Sequence, residues 1–101
     1  MNKLEINPKE FKTLLNDPDK HLFILDVRNP SEYREYNING HLIPFMELPE
    51  RLHELPEKDA LIVVHCAHGV RSKHAAEFLR HEGYINCYSL EGGLEGLKND
   101  N

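Results

Sequence analysis

The 101-residue sequence predicts one α/β domain with a central, mostly parallel sheet of four to five strands and helices on both faces. Two observations lead to this prediction. Short uncharged apolar runs, of which residues 61–64 (Leu-Ile-Val-Val) are the strongest, are typical of strands buried on both faces. Helical stretches of about ten residues alternate with these runs, and that order favours parallel strands joined by crossover helices. We therefore treat residues 1–101 as a single domain.

The first half of the chain contains two similar helix starts with a strand between them. Residues 7–10 (Asn-Pro-Lys-Glu) combine a capping asparagine, a first-turn proline and a capping-box glutamate, which predicts a helix. Residues 29–32 (Asn-Pro-Ser-Glu) repeat the pattern and predict a second short helix. Between them, the apolar residues 22–25 run into Asp26 and predict a buried strand.

The second half adds three helices and two strands. Leucines on one face predict a short helix over residues 47–55, before the strand at 61–64. Residues 72–82 are amphipathic and predict a helix, which Gly83 would end. Residues 87–90 predict the last strand, and a short terminal helix follows the glycine pair at 92–93.

Composition excludes several classes of protein. Twelve Lys and Arg against seventeen Asp and Glu give a net charge of −5, which disfavours nucleic-acid binding because that needs a clustered basic face. No apolar run reaches the roughly 18–20 residues of a membrane helix, and the first residues lack a secretory signal. Two cysteines, Cys66 and Cys87, are too few for a disulfide framework. We expect a cytoplasmic monomer that binds neither nucleic acid nor membrane.

Cys66 occupies the position where chemistry is expected in such a fold. It directly follows the strand region at 61–65 and precedes the best helix, at the sheet edge where parallel α/β folds bind ligands. The helix N-terminus, a turn of backbone N–H groups eased by Gly69 and the cation of Arg71 would all favour a thiolate. In such settings cysteine pKa values fall to about 3.5–7.5. Cys66 is therefore predicted to be a nucleophile.

Motifs along the chain then point to a family. The sequence resembles the rhodanese family over about residues 20–97, through Leu-Asp-Val-Arg at 25–28, Glu-Tyr at 32–33, Gly-His-Leu-Ile-Pro at 40–44, Cys-Ala-His-Gly-Val-Arg-Ser at 66–72 and Leu-Glu-Gly-Gly-Leu at 90–94. The Cys-to-Arg loop is the most specific of these. Two segments depart from the family pattern: Phe45-Met46 replaces Gly-Ala, and Leu94 and Leu97 stand where a Trp is usual.

The resemblance implies a rhodanese-like sulfurtransferase in which Cys66 carries a persulfide cradled by the loop backbone. A small anionic donor such as thiosulfate or a persulfide would supply the sulfur, and a thiol, cyanide or a thioredoxin-like protein would accept it. It implies no cofactor and no metal. The predicted site comprises catalytic Cys66 and Arg71, substrate-binding Ala67, His68, Gly69, Val70 and Ser72, and supporting Asp26, Arg28 and His41.

Two other functions use similar residues. Cysteine-dependent phosphatases and arsenate reductases also place His-Cys before a loop that ends in Arg at a helix start. Their loop holds five residues between Cys and Arg, whereas Cys66 and Arg71 enclose four, and no aspartate is obviously placed as a general acid. A catalytically silent rhodanese-like binding module is the second alternative, which the presence of Cys66 disfavours.

The remaining polar residues receive simpler interpretations. The His65-Cys66, His68 and His74 group lacks paired zinc-ligand spacing, so we expect His65 to end the strand, His68 to line the pocket rim and His74 to face solvent. His68 could also accept a proton near neutral pH. Asp26 and Arg28 are predicted to form a structural ion pair, His41 to act as a positioning hydrogen-bond donor, and Cys87 to be a small buried hydrophobe.

Overall fold

Within residues 3–100, which the computed structural model describes, five parallel strands form one sheet. The strands are β1 (Glu5–Ile6), β2 (Leu22–Asp26), β3 (His41–Leu42), β4 (Leu61–His65) and β5 (Cys87–Leu90). Their order across the sheet is β1-β5-β4-β2-β3. The predicted α/β class and parallel sheet are confirmed. The two-residue edge strands β1 and β3 escaped prediction because segments so short show no hydrophobic period.

Helices cover both faces of this sheet. They are α1 (Pro8–Leu15), α2 (Pro30–Glu35), α3 (Val70–His81) and α4 (Gly93–Lys98). On one face α1 contributes Phe11 to a core that includes Val63 of β4, and Leu97 of α4 packs against it. On the other face α3 contributes Leu79 to a core that includes Val64. Alternate residues of β4 therefore enter opposite cores, as expected for a strand buried on both sides.

The two predicted helix starts are confirmed at Pro8 and Pro30. The Asn7 side chain accepts a hydrogen bond from the Glu10 N–H at 2.8 Å, and the Glu10 carboxylate accepts from the Asn7 N–H at 2.9 Å. At the second start the Glu32 carboxylate accepts from the Asn29 N–H at 2.8 Å. Each glutamate thus occupies a backbone donor that the first helical turn leaves free.

The predicted helix at 47–55 is wrong, because the chain forms two 3₁₀ segments there, Phe45–Glu50 and Leu52–Glu54. Pro49 has no N–H to donate, so a continuous α-helical ladder cannot form through it. The bonds observed join residues three apart, from the Glu47 N–H to the Pro44 carbonyl and from the Arg51 N–H to the Leu48 carbonyl. The apolar face is nevertheless retained, since Leu48 is buried in the core.

The helix predicted at 72–82 begins two residues earlier, at Val70, and ends at His81. Gly69 caps it with a φ of +103°, a left-handed conformation that favours glycine. The earlier start places the Cys66 loop directly against the first helical turn.

The chain diverges between β2 and β4. β2 leads through α2 to β3 on one side, whereas β4 leads through α3 to β5 on the other. Asp26 at the end of β2 pairs in register with His65 at the end of β4. Such divergence opens a crevice at the carboxyl ends of the strands, which is where ligands bind in open α/β sheets. No helix within residues 3–100 is long and apolar enough to span a membrane.

Candidate active site

The Cys66 sulfur lies at the centre of the loop that joins β4 to α3. The backbone N–H groups of Gly69 and Ser72 point at the sulfur, with N···Sγ distances of 3.1 and 3.3 Å. Cys66 is only 1% exposed, so the sulfur forms the floor of the loop. The loop backbone thus makes the anion-binding nest that the sequence predicts.

These contacts stabilise the thiolate. Burial acts to raise the pKa of the Cys66 thiol, but hydrogen bonds from Ser72, through its hydroxyl and its N–H, and from the N–H groups of Gly69 and His68 outweigh it, so the pKa is lowered. The partial positive charge at the N-terminus of α3 acts in the same direction. Cys66 is therefore a stronger candidate nucleophile than Cys87, where burial raises the pKa to about 12.

The Ser72 hydroxyl is part of a buried network below the sulfur. Its Oγ lies 3.5 Å from the Cys66 Sγ, 3.3 Å from the Gly69 carbonyl oxygen and 2.8 Å from the Ser89 Oγ. Both serines are fully buried. Ser72 was predicted to bind substrate, but its side chain contacts the nucleophile from within. Ser89, on β5, was not predicted because one serine in an apolar strand carries no recognisable pattern.

Arg71 is held by Glu32, a residue that the sequence indicated only as a helix-capping and motif residue. The Arg71 Nη1 and Nη2 atoms lie 2.9 and 3.0 Å from the two carboxylate oxygens of Glu32. The hydrogen bonds from Arg71 hold the pKa of Glu32 down, to about 2, so the carboxylate is charged at neutral pH. A bidentate ion pair of this kind fixes the plane of the guanidinium and holds its positive charge at the end of α3 nearest the loop.

The predicted ion pair between Asp26 and Arg28 is present and buried. Arg28 Nη2 lies 2.8 Å from Asp26 Oδ2, and Arg28 Nε lies 3.0 Å from Asp26 Oδ1. The same guanidinium donates to the carbonyl oxygens of Glu32 and Tyr36 at 3.3 and 2.7 Å. Arg28 therefore ties the carboxyl end of β2 to α2, the helix that carries the partner of Arg71.

The three histidines near the loop do not converge. His65 is fully buried at the end of β4, with its Nε2 3.7 Å from Asp26 Oδ2, whereas His68 and His74 are exposed. Burial lowers the pKa of His65, an effect that the Asp26 carboxylate partly opposes. Within residues 3–100 no group of three or more His, Cys, Asp or Glu side chains is arranged to hold a metal ion.

His41, predicted as a positioning donor, lies on the edge strand β3. It is exposed, and its Nε2 lies 2.7 Å from the Glu54 Oε1 atom in the second 3₁₀ segment. Its ring also packs against Phe23, with 5.7 Å between ring centroids. The contacts of His41 thus position the 3₁₀ segment beside the sheet rather than the nucleophile loop.

Helix α4 presses directly on the back of the Cys66 loop. The N–H groups of Leu94 and Glu95 donate to the carbonyl oxygens of Cys66 and Ala67 at 2.9 and 3.0 Å. Gly93, with a φ of +61°, makes this approach possible, because a methyl group there would lie 2.5 Å from backbone atoms of Cys66 and Ala67. The close approach of α4 to the loop therefore requires glycine at position 93.

Two exposed apolar side chains and one buried one bear on the segments that flank the loop or depart from the family pattern. Val70 is 66% exposed, and Met46, at the departure from the family pattern, is 83% exposed. Leu94, at the position where a Trp is usual, is instead buried in the molecule. The two segments that flank the loop therefore differ in sequence from the usual rhodanese pattern, whereas residues 66–72 of the loop keep it.

Comparison with known proteins agrees with this geometry. A model of the rhodanese-like domain matches residues 7–100. The chain belongs to the rhodanese-like domain family. Its fold matches that of a rhodanese-related protein from Thermoplasma volcanium, with 34% identity and a TM-score of 0.81 over 95% of this chain and 91% of the other. The family resemblance drawn from these motifs is confirmed.

Two further relatives are longer proteins. A tRNA uridine(34) hydroxylase from Pelagibacter ubique is 37% identical over 99 residues, which is 93% of this chain and 32% of that protein. A NAD-dependent persulfide reductase from A. fulgidus is 39% identical with a TM-score of 0.69, over 92% of this chain and 15% of the other. The chain spans about a third of the length of the curated relatives it matches.

Proposed function

We propose that this rhodanese-like chain transfers a sulfane sulfur from a donor such as thiosulfate or a persulfide to a thiol or cyanide, through a persulfide on Cys66. The observation that carries the proposal is the Cys66 sulfur accepting two backbone hydrogen bonds, 3.1 Å from Gly69 N and 3.3 Å from Ser72 N. Donors placed in this way stabilise negative charge on the reacting sulfur. The persulfide chemistry in the name of the A. fulgidus relative agrees with it.

The reaction proceeds in two displacements. The Cys66 thiolate attacks the outer sulfur of thiosulfate, the sulfur–sulfur bond of the donor breaks, and sulfite leaves with the bonding electron pair. The chain then holds a persulfide whose negative charge lies on the outer sulfur. An acceptor thiolate attacks that outer sulfur, and the electron pair of the breaking bond returns to Cys66. Ping-pong kinetics are expected from such a covalent intermediate.

Arg71 contributes as a fixed cation at the rim of the loop. Glu32 binds both terminal nitrogens of Arg71, so the pair carries no net charge. The backbone N–H groups of the loop therefore supply most of the electrostatic attraction for an anionic donor. Thiosulfate is a compact dianion, whereas a low-molecular-weight persulfide spreads less charge over the same pocket. We therefore expect both donors to work, with the balance between them set by Glu32.

Mass spectrometry after incubation with thiosulfate tests the proposal. The wild-type chain should gain the mass of one sulfur, located on Cys66 and lost on addition of cyanide. Cys66→Ser should gain nothing and should not turn over. Cys87→Ala is the matched control, because Cys87 is also buried but its raised pKa keeps it a thiol; this variant should retain full transfer.

Three results would contradict the proposal. Turnover by Cys66→Ser would exclude the persulfide step. Hydrolysis of an aryl phosphate without sulfur transfer would favour the phosphatase alternative. Absence of transfer with thiosulfate, glutathione persulfide and a persulfidated thioredoxin-like protein would favour a silent binding module. Gel filtration alongside tests the further proposal that the chain works as a monomer.

A second candidate function comes from the Pelagibacter ubique relative. Its name describes hydroxylation of uridine 34 of tRNA, and 37% identity over 99 residues relates its domain to this chain. Detection of hydroxylated uridine in tRNA incubated with this chain alone would favour this candidate. With a net charge of −5, we expect the chain alone to bind tRNA poorly.

A further inference from the structure

Ser89 is a buried polar residue that the mechanism above leaves unused. It lies on β5 and is fully buried, and its register partner on β4 is Val64. Among residues 3–100, the hydrogen-bond partner of its Oγ is the Ser72 Oγ, 2.8 Å away. At this distance either hydroxyl could donate. Because a buried proton without an acceptor is costly, and the Ser72 oxygen is the acceptor that the Ser89 proton meets, we assign Ser89 as the donor.

This arrangement restricts what the Ser72 hydroxyl can do. A serine hydroxyl has one proton to donate and two lone pairs that accept. Three acceptors surround Ser72: the Cys66 sulfur, the Gly69 carbonyl oxygen and the Ser89 oxygen. Because Ser89 donates to Ser72, the proton of Ser72 is left with only the sulfur and the Gly69 carbonyl.

We propose that Ser89 is a positioning residue that aims the Ser72 hydroxyl at the Cys66 sulfur whenever that sulfur carries negative charge. When Cys66 is a thiol, its S–H donates to Ser72, and Ser72 donates to Gly69. When Cys66 ionises, its proton goes to solvent, and the Ser72 hydroxyl turns from Gly69 to the sulfur. Ser89 donates to Ser72 in both states, so the hydroxyl turns without losing its buried partner.

The same turn serves the two halves of sulfur transfer. In the persulfide the charge moves to the outer sulfur, and the Cys66 sulfur becomes a neutral bridging atom. The Ser72 hydroxyl then returns to Gly69 and no longer stabilises the inner sulfur. Ser89 acts through Ser72 and does not touch the reacting atoms. The inference rests on the proposed function only in taking Cys66 as the nucleophile.

The pH dependence of Cys66 alkylation by iodoacetamide tests this inference without any sulfur donor. Ser72→Ala should raise the pKa of Cys66 by about one to two units, since it removes a hydrogen bond to a charged group. Ser89→Ala should raise it by about half a unit, because donors in a chain strengthen one another. Alkylation below the pKa would then be about threefold slower. The charged and titratable groups near the loop are unchanged in both variants: Arg71 with Glu32, His65 with the Asp26–Arg28 pair, and His68.

The double variant gives the decisive comparison. If Ser89 acts through Ser72, Ser72→Ala with Ser89→Ala should match Ser72→Ala alone. Cys87→Ala is the matched control, because Cys87 is fully buried on β5, two residues before Ser89, and its pKa is raised to about 12. This substitution should leave the pKa of Cys66 unchanged.

Additive shifts, no shift in Ser89→Ala, or an equal shift in Cys87→Ala would overturn the proposal. A second pair of variants separates loss of the hydroxyl from a general disturbance of the fold. Ser89→Thr and Ser89→Val fill the same volume and differ by one hydroxyl, so only Ser89→Val should raise the pKa of Cys66. Equal values for this pair would also overturn the proposal. Sulfur transfer is measured in a separate assay. If the chain transfers no sulfur, the proposed function fails, but the alkylation data still test the role of Ser89.

Discussion

Replacing Gly93 with alanine tests how closely α4 supports the nucleophile loop. The added methyl group would lie 2.5 Å from the Cys66 carbonyl oxygen and from the Ala67 carbonyl carbon and oxygen, so backbone must move. A left-handed alanine costs about 1–2 kcal/mol. Overpacking adds about 1–3 kcal/mol, and loss of the two hydrogen bonds from α4 adds about 0.5–1.5 kcal/mol each.

Allowing for overlap between these contributions, we expect Gly93→Ala to lower the free energy of unfolding by about 3–6 kcal/mol. Urea unfolding followed by circular dichroism measures this loss. With a slope of about 1.5 kcal/mol/M, the midpoint should fall by about 2–4 M. Alkylation of Cys66 should slow as well, because the loop carbonyls that α4 holds can no longer keep their positions.

Gly83→Ala is the matched control for this variant. Gly83 also has a positive φ, +99°, but a methyl group there meets the flexible side chain of Lys58 at 3.3 Å rather than backbone. It should therefore carry the conformational cost of about 1–2 kcal/mol alone, with normal Cys66 reactivity. Equal losses in Gly93→Ala and Gly83→Ala would refute the view that close contact with α4 supports the loop.

Two further predictions concern charge. Glu32→Gln should release the Arg71 guanidinium for anionic ligands and lower the KM for thiosulfate several-fold more than that for a low-molecular-weight persulfide, measured by steady-state kinetics; equal changes for both donors would contradict this. Burial lowers the pKa of His65, so the unfolded chain binds this proton more readily, and stability should fall as the pH drops below about 6.5. His65→Leu should flatten this loss by up to about 1.4 kcal/mol per pH unit, measured by urea unfolding at pH 7.5 and 5.5; an unchanged slope would show that His65 does not cause it.

Local patterns predicted much of this molecule. The two helix starts depend on residues three apart, and the apolar run of β4 is continuous in the chain, so both are readable without a structure. The Cys66 loop is equally local, since Gly69 and Ser72 lie three and six residues from the sulfur they contact. A prediction from sequence succeeds where the contacts that create a feature are near in sequence.

The parts that escaped prediction depend on contacts between distant residues. Glu32 and Arg71 lie 39 residues apart, and Ser72 and Ser89 lie 17 apart. Nothing in the neighbourhood of Ser89 distinguishes a hydroxyl that supports a nucleophile from an ordinary strand serine. The 47–55 segment failed for another reason, because leucine spacing suited to an α-helix also suits 3₁₀ turns around Pro49.

The dependence of Cys66 on distant partners makes its reactivity a property of the folded chain. An isolated loop and a short helix are marginal in water, so without β5 and α4 the N–H donors would not stay gathered around the sulfur. In the unfolded chain the thiol returns to an ordinary pKa of about 8.5. At neutral pH a folding intermediate would therefore be a poor nucleophile, protected from stray oxidants and electrophiles until the last elements dock. The rate of Cys66 labelling, followed during refolding, would then report when the site is assembled.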